Sequence, residues 1–218
     1  MPKNLSAAEV DAFRTRLCAA AQHRFATQGR DGVSMRQLAD ALGCSPMTPY
    51  RYFRNKDEIL AAVRTAAFDR FADALEAAVA KARGDLRKQG EGVGEAYIRF
   101  ALREPEAYRL MFDLSQPHQD RYPELVRATG RARHMMSASL EKLVEAGIFA
   151  GDAQLMGYVF WATMHGLIVL HLAGKLPAKP DFKAIRGEAM RLLVAGARSG
   201  AVALGRPAPT TRRRRRSP

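Results

Sequence analysis

The sequence predicts an all-α fold, in which a small N-terminal domain of three helices precedes a larger helical domain. Alanine is frequent and runs of strand-forming residues are scarce. Apolar residues recur at intervals of three and four, which is the period of a helix with one buried face. Serine, asparagine and glycine stand where these runs begin and end. With 218 residues and 47% hydrophobic content, the chain is long and apolar enough to bury a core.

The first helix is predicted between Ser6 and Gly29. Its apolar side chains fall on one face, which is the pattern of a helix packed on a core. These residues are Val10, Phe13, Leu17, Ala21 and Phe25.

A short second helix is predicted over "MRQLADALG", with Ser34 as its N-cap and Gly43 as the left-handed residue after its end. A short helix, a glycine-containing turn and another short helix are the parts of a helix-turn-helix. The inward-facing residues of the second helix are Met35, Leu38, Ala39 and Leu42.

The third helix is predicted to begin in "CSPMTPYRYF", where two prolines follow hydroxyl side chains. Either Ser45 caps the helix and Pro46 takes its first position, or Thr48 caps it and Pro49 takes that position. We expect a tight turn from Ser45 that becomes regular helix from Thr48 or Pro49. The prolines would then rigidify the start of this helix.

Asn55 is predicted to cap a long helix from Lys56 to about Arg83. Residues 84–93, "GDLRKQGEGV", are Gly-rich and charged, which predicts a linker or a frayed helix end. The later helices are "GEAYIRFALREPEAYRLMFDLS", broken at Pro105, then 122–147, 153–174 and 181–197. The tail, "GRPAPTTRRRRRSP", is of low complexity and is predicted to be disordered. The predicted domains are therefore residues 1–55 and 56–204, followed by a basic tail at 205–218.

Charge and cysteine content restrict the partners and the compartment. The formal net charge is +13, and five of these charges are Arg212–Arg216. Such a balance favours a polyanionic partner, either nucleic acid or an anionic membrane surface. The N-terminus lacks the apolar core of a signal peptide, so a reducing cytoplasm is expected. Cys18 and Cys44 are then expected to be small buried hydrophobes rather than redox sensors.

The segment after the glycine turn has the chemistry of a DNA-reading element. Such an element offers short polar side chains to bases, and cations, hydroxyls or amides to phosphates. Thr48, Tyr50 and Arg51 have these groups, and Lys56 begins a helix whose first amides also favour an anion. Arg36 is placed near the start of the preceding helix, within reach of a phosphate. Each residue also has an ordinary alternative, as a core aromatic or a solvated surface charge.

Together these residues resemble the DNA-binding domain of the tetracycline-repressor family, over Phe25 to Leu60. The resemblance rests on Phe25, Gly29, Ser34, Arg36, Leu38, Ala39, Gly43, Thr48, Tyr50, Tyr52, Phe53, Lys56 and Leu60. It implies that Tyr50, Tyr52 and Lys56 bind phosphates, and that Thr48 and the residues before it lie in the major groove. Pro49 departs from the family, which usually has an aliphatic residue there and often a glycine near Met47. The full predicted contact set is Ser34, Arg36, Ser45, Met47, Thr48, Tyr50, Arg51, Tyr52 and Lys56.

The C-terminal half resembles the family's ligand-domain subgroup named for its Trp-His-Gly signature, here Trp161, His165 and Gly166. That resemblance implies a helical domain that dimerises through its last two long helices and holds a small, often apolar, effector. Aromatic and Met residues at helical spacing are also typical of an ordinary core, and His165 of a core or interface histidine. The candidate pocket residues are Tyr97, Phe100, Tyr108, Met111, Phe112, Met135, Trp161 and His165.

Other classes of protein fit the sequence less well. The chain has no Gly-rich phosphate loop, His-x-x-x-His, Cys-x-x-Cys or nucleophile elbow, so neither an enzyme nor a metal or cofactor is predicted. The uncharged run 153–174 is long enough to cross a bilayer, but its polar residues and missing cationic flank favour a buried dimer helix. A nucleoid-type protein would explain the arginine tail but not the shaped helix-turn-helix.

The sequence therefore predicts a cytoplasmic, homodimeric transcriptional repressor without a membrane partner. It is expected to bind a palindromic operator in double-stranded DNA and to be released by a small-molecule effector.

Overall fold

A computed structural model of the chain describes residues 6–113 and 119–200, and all regular secondary structure in these residues is helical. The predicted all-α fold class is therefore confirmed. These residues form two compact units, one up to Met136 and one from Ser137 onwards, and one helix contributes to both. The arginine tail lies outside the described residues. The α-helices are α1 (Ala7–Gln28), α2 (Met35–Ala41), α3 (Lys56–Lys81), α4 (Leu86–Arg103), α5 (Pro105–Met111), α6 (Pro123–Glu145), α7 (Ala153–Leu172) and α8 (Phe182–Ser199).

The predicted N-caps Ser34 and Asn55 are confirmed, and Ser6 caps α1 as well. Ser6 and Ser34 each form a reciprocal capping box, with Glu9 and with Gln37, at the starts of α1 and α2. The Asn55 side chain accepts a 3.0 Å bond from the Glu58 amide at the start of α3. These side chains satisfy backbone donors that a helix cannot pair internally.

Glycines end the first two helices in the predicted manner. Gly29 and Gly43 have φ values of 69° and 63°, a region that side chains with a Cβ rarely adopt. Gly43 follows α2 closely, so the chain turns there into the segment that carries the two prolines.

The N-terminal core lies between α1, α2 and α3, and Leu110 of α5 also packs into it. The predicted inward faces of α1 and α2 are buried, except that Val10 and Leu42 are partly exposed. Burying a large apolar side chain contributes about 1.5–3 kcal/mol, so this core can hold a small three-helix arrangement in place. Its largest fully buried members are Leu17, Phe25, Leu38, Phe53, Ile59 and Leu60.

The prediction of a linker or frayed end at residues 84–93 is wrong, because α4 begins at Leu86. The Asp85 carboxylate accepts bonds from the backbone amides of Arg87 and Lys88, both at 3.1 Å. Gly92 lies against α3, where an added Cβ would stand 3.5 Å from the Ala78 carbonyl oxygen. This is an ordinary van der Waals distance, so the helix there follows from its cap and its contacts with α3 rather than from a need for glycine.

Arginines of α6 connect to acidic residues of α3 along the surface of the first unit. Arg127 pairs with Asp69 at 2.9 Å, and Arg131 pairs with Asp73 at 2.6 Å and Glu76 at 2.7 Å. Arg131 is shared by two of these bridges, so its side chain is ordered only once for both. Each bridge is partly exposed and therefore contributes little to stability alone.

The second unit contains the end of α6 with α7 and α8. Met156, Met164 and Ile168 of α7 are buried. By contrast, 50% of Tyr158, 45% of Val169 and 57% of Leu192 are exposed, an uncommon amount for large apolar side chains on packed helices. By length and composition, α7 is the one helix in the described residues that could cross a membrane, with a mean hydropathy of 1.5.

Candidate DNA-binding surface

The segment after α2 forms a tight turn and then a 3₁₀ helix, Pro49–Arg51. The Thr48 amide donates to the Ser45 carbonyl at 2.8 Å, which confirms the expected turn from Ser45. The expected regular helix from Thr48 or Pro49 is wrong. Pro46 and Pro49 have no N–H to donate, and a proline ring clashes with the carbonyl four residues earlier. The segment therefore keeps only short-range backbone bonds.

Neither predicted hydroxyl cap is a strong one. The Ser45 hydroxyl accepts from the Met47 amide at 3.4 Å, which is a long bond. The Thr48 side chain makes no capping bond, although Pro49 takes the first position of the 3₁₀ helix. This agrees with the second of the two proline placements that the sequence left open.

The segment is exposed on one side and anchored on the other. Pro49 and Phe53 are buried, Phe53 with only 1% of its surface accessible. Met47 is 67% exposed and Tyr50 49% exposed, and Arg51 is exposed beside them. The buried proline and phenylalanine thus present the polar and basic residues between them to solvent.

Helix α2 and its cap add to this exposed surface. Ser34 and Arg36 are exposed, as is Ser45, while Thr48 is partly buried. Arg36 therefore has the accessibility that a phosphate contact needs. The contact assignments themselves stay predictions, because the structure contains no DNA.

Helix α1 holds the far end of the segment. The Arg14 guanidinium donates from Nη1 to the Tyr52 carbonyl at 2.7 Å and lies 4.1 Å from the centre of the Phe53 ring. The Tyr52 ring stacks on Phe13 at 4.2 Å with an interplanar angle of 23°. Tyr52 is therefore packed on α1 and only partly exposed. The sequence reasoning missed Arg14, whose only signal is its position beside the apolar face of α1.

The start of α3 is fixed by a second set of ionic contacts. Arg30 donates to both carboxylate oxygens of Asp57, at 2.6 and 2.9 Å, and these bonds hold the pKa of Asp57 below its usual value. Lys56 is partly buried, with its Nζ 3.4 Å from Asp31. A helix N-terminus attracts anions, while Asp31 and Asp57 balance the charges of Lys56 and Arg30 at this fixed end.

Four of the candidate effector residues lie in a buried cluster of the first unit, namely Tyr97, Phe100, Tyr108 and Met111. The hydroxyl oxygens of Tyr97 and Tyr108 lie 2.8 Å apart, and burial raises the pKa of Tyr108. The Phe71 ring contacts Tyr97 at 5.2 Å and Phe100 at 5.1 Å. Such packing is typical of a core, so access to these residues would require side chains to move.

The other candidates, Phe112, Met135, Trp161 and His165, are partly exposed. The Phe112 ring lies 5.0 Å from that of Tyr108, at the edge of the buried cluster. On α7, the ring of Trp161 lies 6.0 Å from His165 and 6.5 Å from Tyr158. Burial lowers the pKa of His165, which therefore favours the neutral imidazole.

Arg64 is a buried cation that the sequence reasoning did not single out. It is 7% exposed and donates from Nη2 to the Met111 carbonyl at 3.2 Å, which links α3 to the end of α5. Its Nε has no hydrogen-bond partner among the described residues. Burial lowers the pKa of Arg64, and the charge of Asp113 partly opposes this shift. No group of three or more potential metal ligands is found in the described parts of the chain.

Comparison with known proteins relates both halves of the chain to one group of regulators. Residues 17–63 match the family described as bacterial regulatory proteins, tetR family, and residues 91–193 match the tetracyclin repressor-like, C-terminal domain. Together these matches cover more than half of the chain. No curated protein matches it.

Solved structures share the fold over nearly their full length. A protein of unknown function from Rhodococcus sp. RHA1 is 28% identical, with a TM-score of 0.73 over 90% of this chain and 98% of that chain. A TetR family transcription regulator from Marinobacter aquaeolei VT8 is 21% identical, with a TM-score of 0.65 over 87% and 95%. FadR from Bacillus subtilis, solved with stearoyl-CoA, is 17% identical, with a TM-score of 0.69 over 84% and 98%.

The buried three-element core, the exposed basic segment after α2 and the helical C-terminal half define a DNA-binding transcription regulator. With both of its regions matched, this chain belongs to the tetracycline-repressor family.

Proposed function

We propose that the protein is a homodimeric repressor that binds a palindromic operator and leaves it when a small, largely apolar effector binds. The observation that carries this proposal is the exposure of Met47, Tyr50 and Arg51, the last two held between the buried Pro49 and Phe53. Two copies related by a two-fold axis would place these segments about 34–36 Å apart, or a near multiple of that, on successive major grooves.

Within this proposal, residues 1–55 bind DNA and residues 56–204 bind the effector and the second copy. Arg36, Arg51 and Lys56 supply positive charge, and Tyr50 supplies a hydroxyl at the exposed tip. Phosphate contacts by such groups orient a protein on the duplex, while base edges give the specificity. Ser45, Met47 and Thr48 are the residues proposed for the groove.

The proposed dimer forms through α7 and α8. Tyr158, Val169 and Leu192 expose apolar surface that an isolated subunit in water would leave uncovered. A second copy would bury these side chains without a membrane, which supports a cytoplasmic protein. The same contact would explain why α7 is apolar on nearly all sides.

The proposed effector is an apolar small molecule, whose candidate contacts in the second unit are the partly exposed Trp161 and His165. The B. subtilis relative was solved with stearoyl-CoA, but the likeness of the two chains extends to the fold alone. The chain contains a single tryptophan, so the fluorescence of Trp161 reports binding directly. Titration with fatty acids and acyl-CoA of increasing length should give a saturable change in wild type and none in Trp161→Phe.

Selection of binding sites from a random duplex library, at near-physiological salt, tests the operator proposal. Enrichment of a palindrome by the full chain would support a sequence-specific dimer and would provide the probe for effector release. Failure to enrich any sequence, with binding that depends only on salt, would instead support a nucleoid-type protein. The net charge of +13 and Arg212–Arg216 are the observations that favour that alternative.

A further inference from the structure

The DNA-reading segment of this chain has little backbone structure of its own. Its regular part is a three-residue 3₁₀ helix, and two of the residues from Pro46 to Arg51 are prolines without an amide donor. Isolated turns of this kind are marginal in water, because the few bonds they form do not offset the loss of chain entropy. The orientation of the segment must therefore come from contacts outside it.

Arg14 of α1 supplies two such contacts at the point where the segment ends. Its Nη1 donates to the Tyr52 carbonyl at 2.7 Å, a bond between residues 38 positions apart. Its guanidinium also lies over the Phe53 ring, with Cζ 4.1 Å from the ring centre. A planar guanidinium can stack on a ring and donate to a carbonyl at the same time, which a lysine ammonium cannot reproduce.

We propose that Arg14 is a positioning residue for DNA recognition, which fixes the exposed residues of the segment through Tyr52 and Phe53. Since Phe53 is buried, Arg14 fastens the segment to the core shared by α1 and α3. Arg14 is itself only partly exposed, and its charge is used within the fold. This inference rests on the proposed DNA binding, and it concerns which residue makes that binding specific.

Positioning predicts a different defect from the loss of a phosphate contact. A lost phosphate contact weakens binding to every sequence and lowers the salt slope by about one. A misplaced reading segment loses affinity for the selected site and leaves non-specific binding and the salt slope unchanged. The two roles are therefore separated by measuring both kinds of DNA with the same variant.

The test compares Arg14→Gln with Arg16→Gln in the full chain. Arg16 lies two residues further along α1, is exposed and removes the same charge when it is changed. Its guanidinium lies 5.8 Å from the centre of the Phe13 ring, a longer contact than that of Arg14 with Phe53. We expect Arg14→Gln to bind the selected site at least tenfold more weakly, with less than twofold change on a scrambled duplex. Arg16→Gln should stay within twofold on both. Equal losses on both duplexes for Arg14→Gln, or wild-type binding, would overturn the proposal.

Hydrogen exchange of the free protein tests the same inference without DNA. The amides of Arg51, Tyr52 and Phe53 donate to Thr48 or Pro49 within the segment. They should exchange at least tenfold faster in Arg14→Gln than in wild type, and at the wild-type rate in Arg16→Gln. Unchanged exchange would contradict the proposal even if no operator is ever selected, so failure of the proposed function remains distinguishable.

Arg14→Lys keeps the charge and provides a milder variant in case Arg14→Gln does not fold. It should also lose affinity for the selected site alone, but by a smaller factor of about three- to tenfold, together with faster exchange of the three amides. Full recovery of wild-type affinity and exchange by lysine would show that charge alone suffices at this position, which contradicts the proposed planar contact.

Discussion

Arg30 and Asp57 form a bidentate ion pair, with N···O distances of 2.6 and 2.9 Å, that ties the loop before α2 to the first turn of α3. The two side chains are about one third and one quarter exposed, so water screens the pair only in part. The pair fixes the helix start beside Lys56. It thereby joins two elements of the proposed DNA-binding surface that lie 27 residues apart in the sequence.

Asp57→Asn should lower the free energy of unfolding at pH 7 by about 1–2 kcal/mol, because the neutral amide can accept only one of the two bonds from Arg30 and carries no charge. Asp31→Asn, which changes a carboxylate that is 86% exposed, should cost less than about 0.5 kcal/mol. Urea unfolding of both variants measures this difference. Equal stabilities of the two variants would contradict a structural role for the Arg30–Asp57 pair.

The effect of Asp57 should also depend on pH. The pKa of Asp57 is lower in the folded state, chiefly through its hydrogen bond to Arg30. The carboxylate therefore stabilises the fold fully above its unfolded pKa of about 3.9 and loses this contribution as pH falls through its folded value. The difference between wild type and Asp57→Asn should accordingly shrink below about pH 4.

Lys56→Ala and Tyr50→Ala should each weaken binding to the selected operator about fivefold to tenfold, as expected for single phosphate contacts. Lys56→Ala should weaken binding to a scrambled duplex equally and lower the salt slope by about one. Lys88→Ala, which removes an exposed cation from α4, is the matched control. Lys56→Ala and Tyr50→Ala should both sediment as wild type. Normal operator affinity in these two variants would refute the assignment of these contacts.

Several features of the fold follow from local sequence signals. Ser6, Ser34 and Asn55 begin helices because their short side chains accept bonds from nearby amides. The buried face of α1 follows from helical periodicity alone. The candidate DNA surface could also be proposed from the sequence, since Tyr50, Arg51 and Lys56 lie within a few residues of one another, and its contacts stay predictions.

What the sequence did not reveal depends on contacts between distant residues. Helix α4 buries Val93, Ala96 and Tyr97, whereas glycine taken alone signals a linker. The bond from Arg14 to the Tyr52 carbonyl and that from Arg64 to the Met111 carbonyl span 38 and 47 residues. Periodicity gives no information on such pairs. Pro46 and Pro49 are local signals, but the sequence alone does not show that they limit the segment to a 3₁₀ helix.

Leu192→Glu should shift the protein from dimer towards monomer, because it replaces an apolar side chain of the proposed interface with a charged one. Leu192 is 57% exposed in the isolated chain. Sedimentation velocity at several concentrations measures the dissociation constant of the dimer, which the substitution should raise at least tenfold. Lys183→Gln changes the charge by one unit about two and a half turns earlier, on the opposite side of α8. It should leave the dimer intact, and an unaltered Leu192→Glu dimer would exclude this face as the interface.

Deleting the tail that contains Arg212–Arg216 should flatten the salt dependence of DNA binding. Each arginine that contacts a phosphate contributes about 0.9 to the slope of log affinity against log salt. The deletion should therefore reduce the affinity for scrambled DNA strongly at low salt and only slightly at high salt. Replacing the five arginines with lysines should preserve the slope. If the deletion leaves the slope unchanged, the tail does not act as an electrostatic arm.

The fluorescence of Trp161 should report the titration of His165, whose ring lies 6.0 Å away on the same face of α7. Burial lowers the pKa of His165 from its usual 6.5, so the imidazole is neutral at pH 7 and protonates only below 6.5. A protonated imidazole quenches a neighbouring indole, and we therefore expect a fall in emission with a midpoint below 6.5. Because the folded state resists this proton, its stability should also decline as pH falls below 6.5. His165→Gln should abolish the midpoint, while His171→Gln, at an exposed position stacked on Phe182, should retain it. A midpoint at or above 6.5 would show that the environment of His165 does not disfavour its charged form.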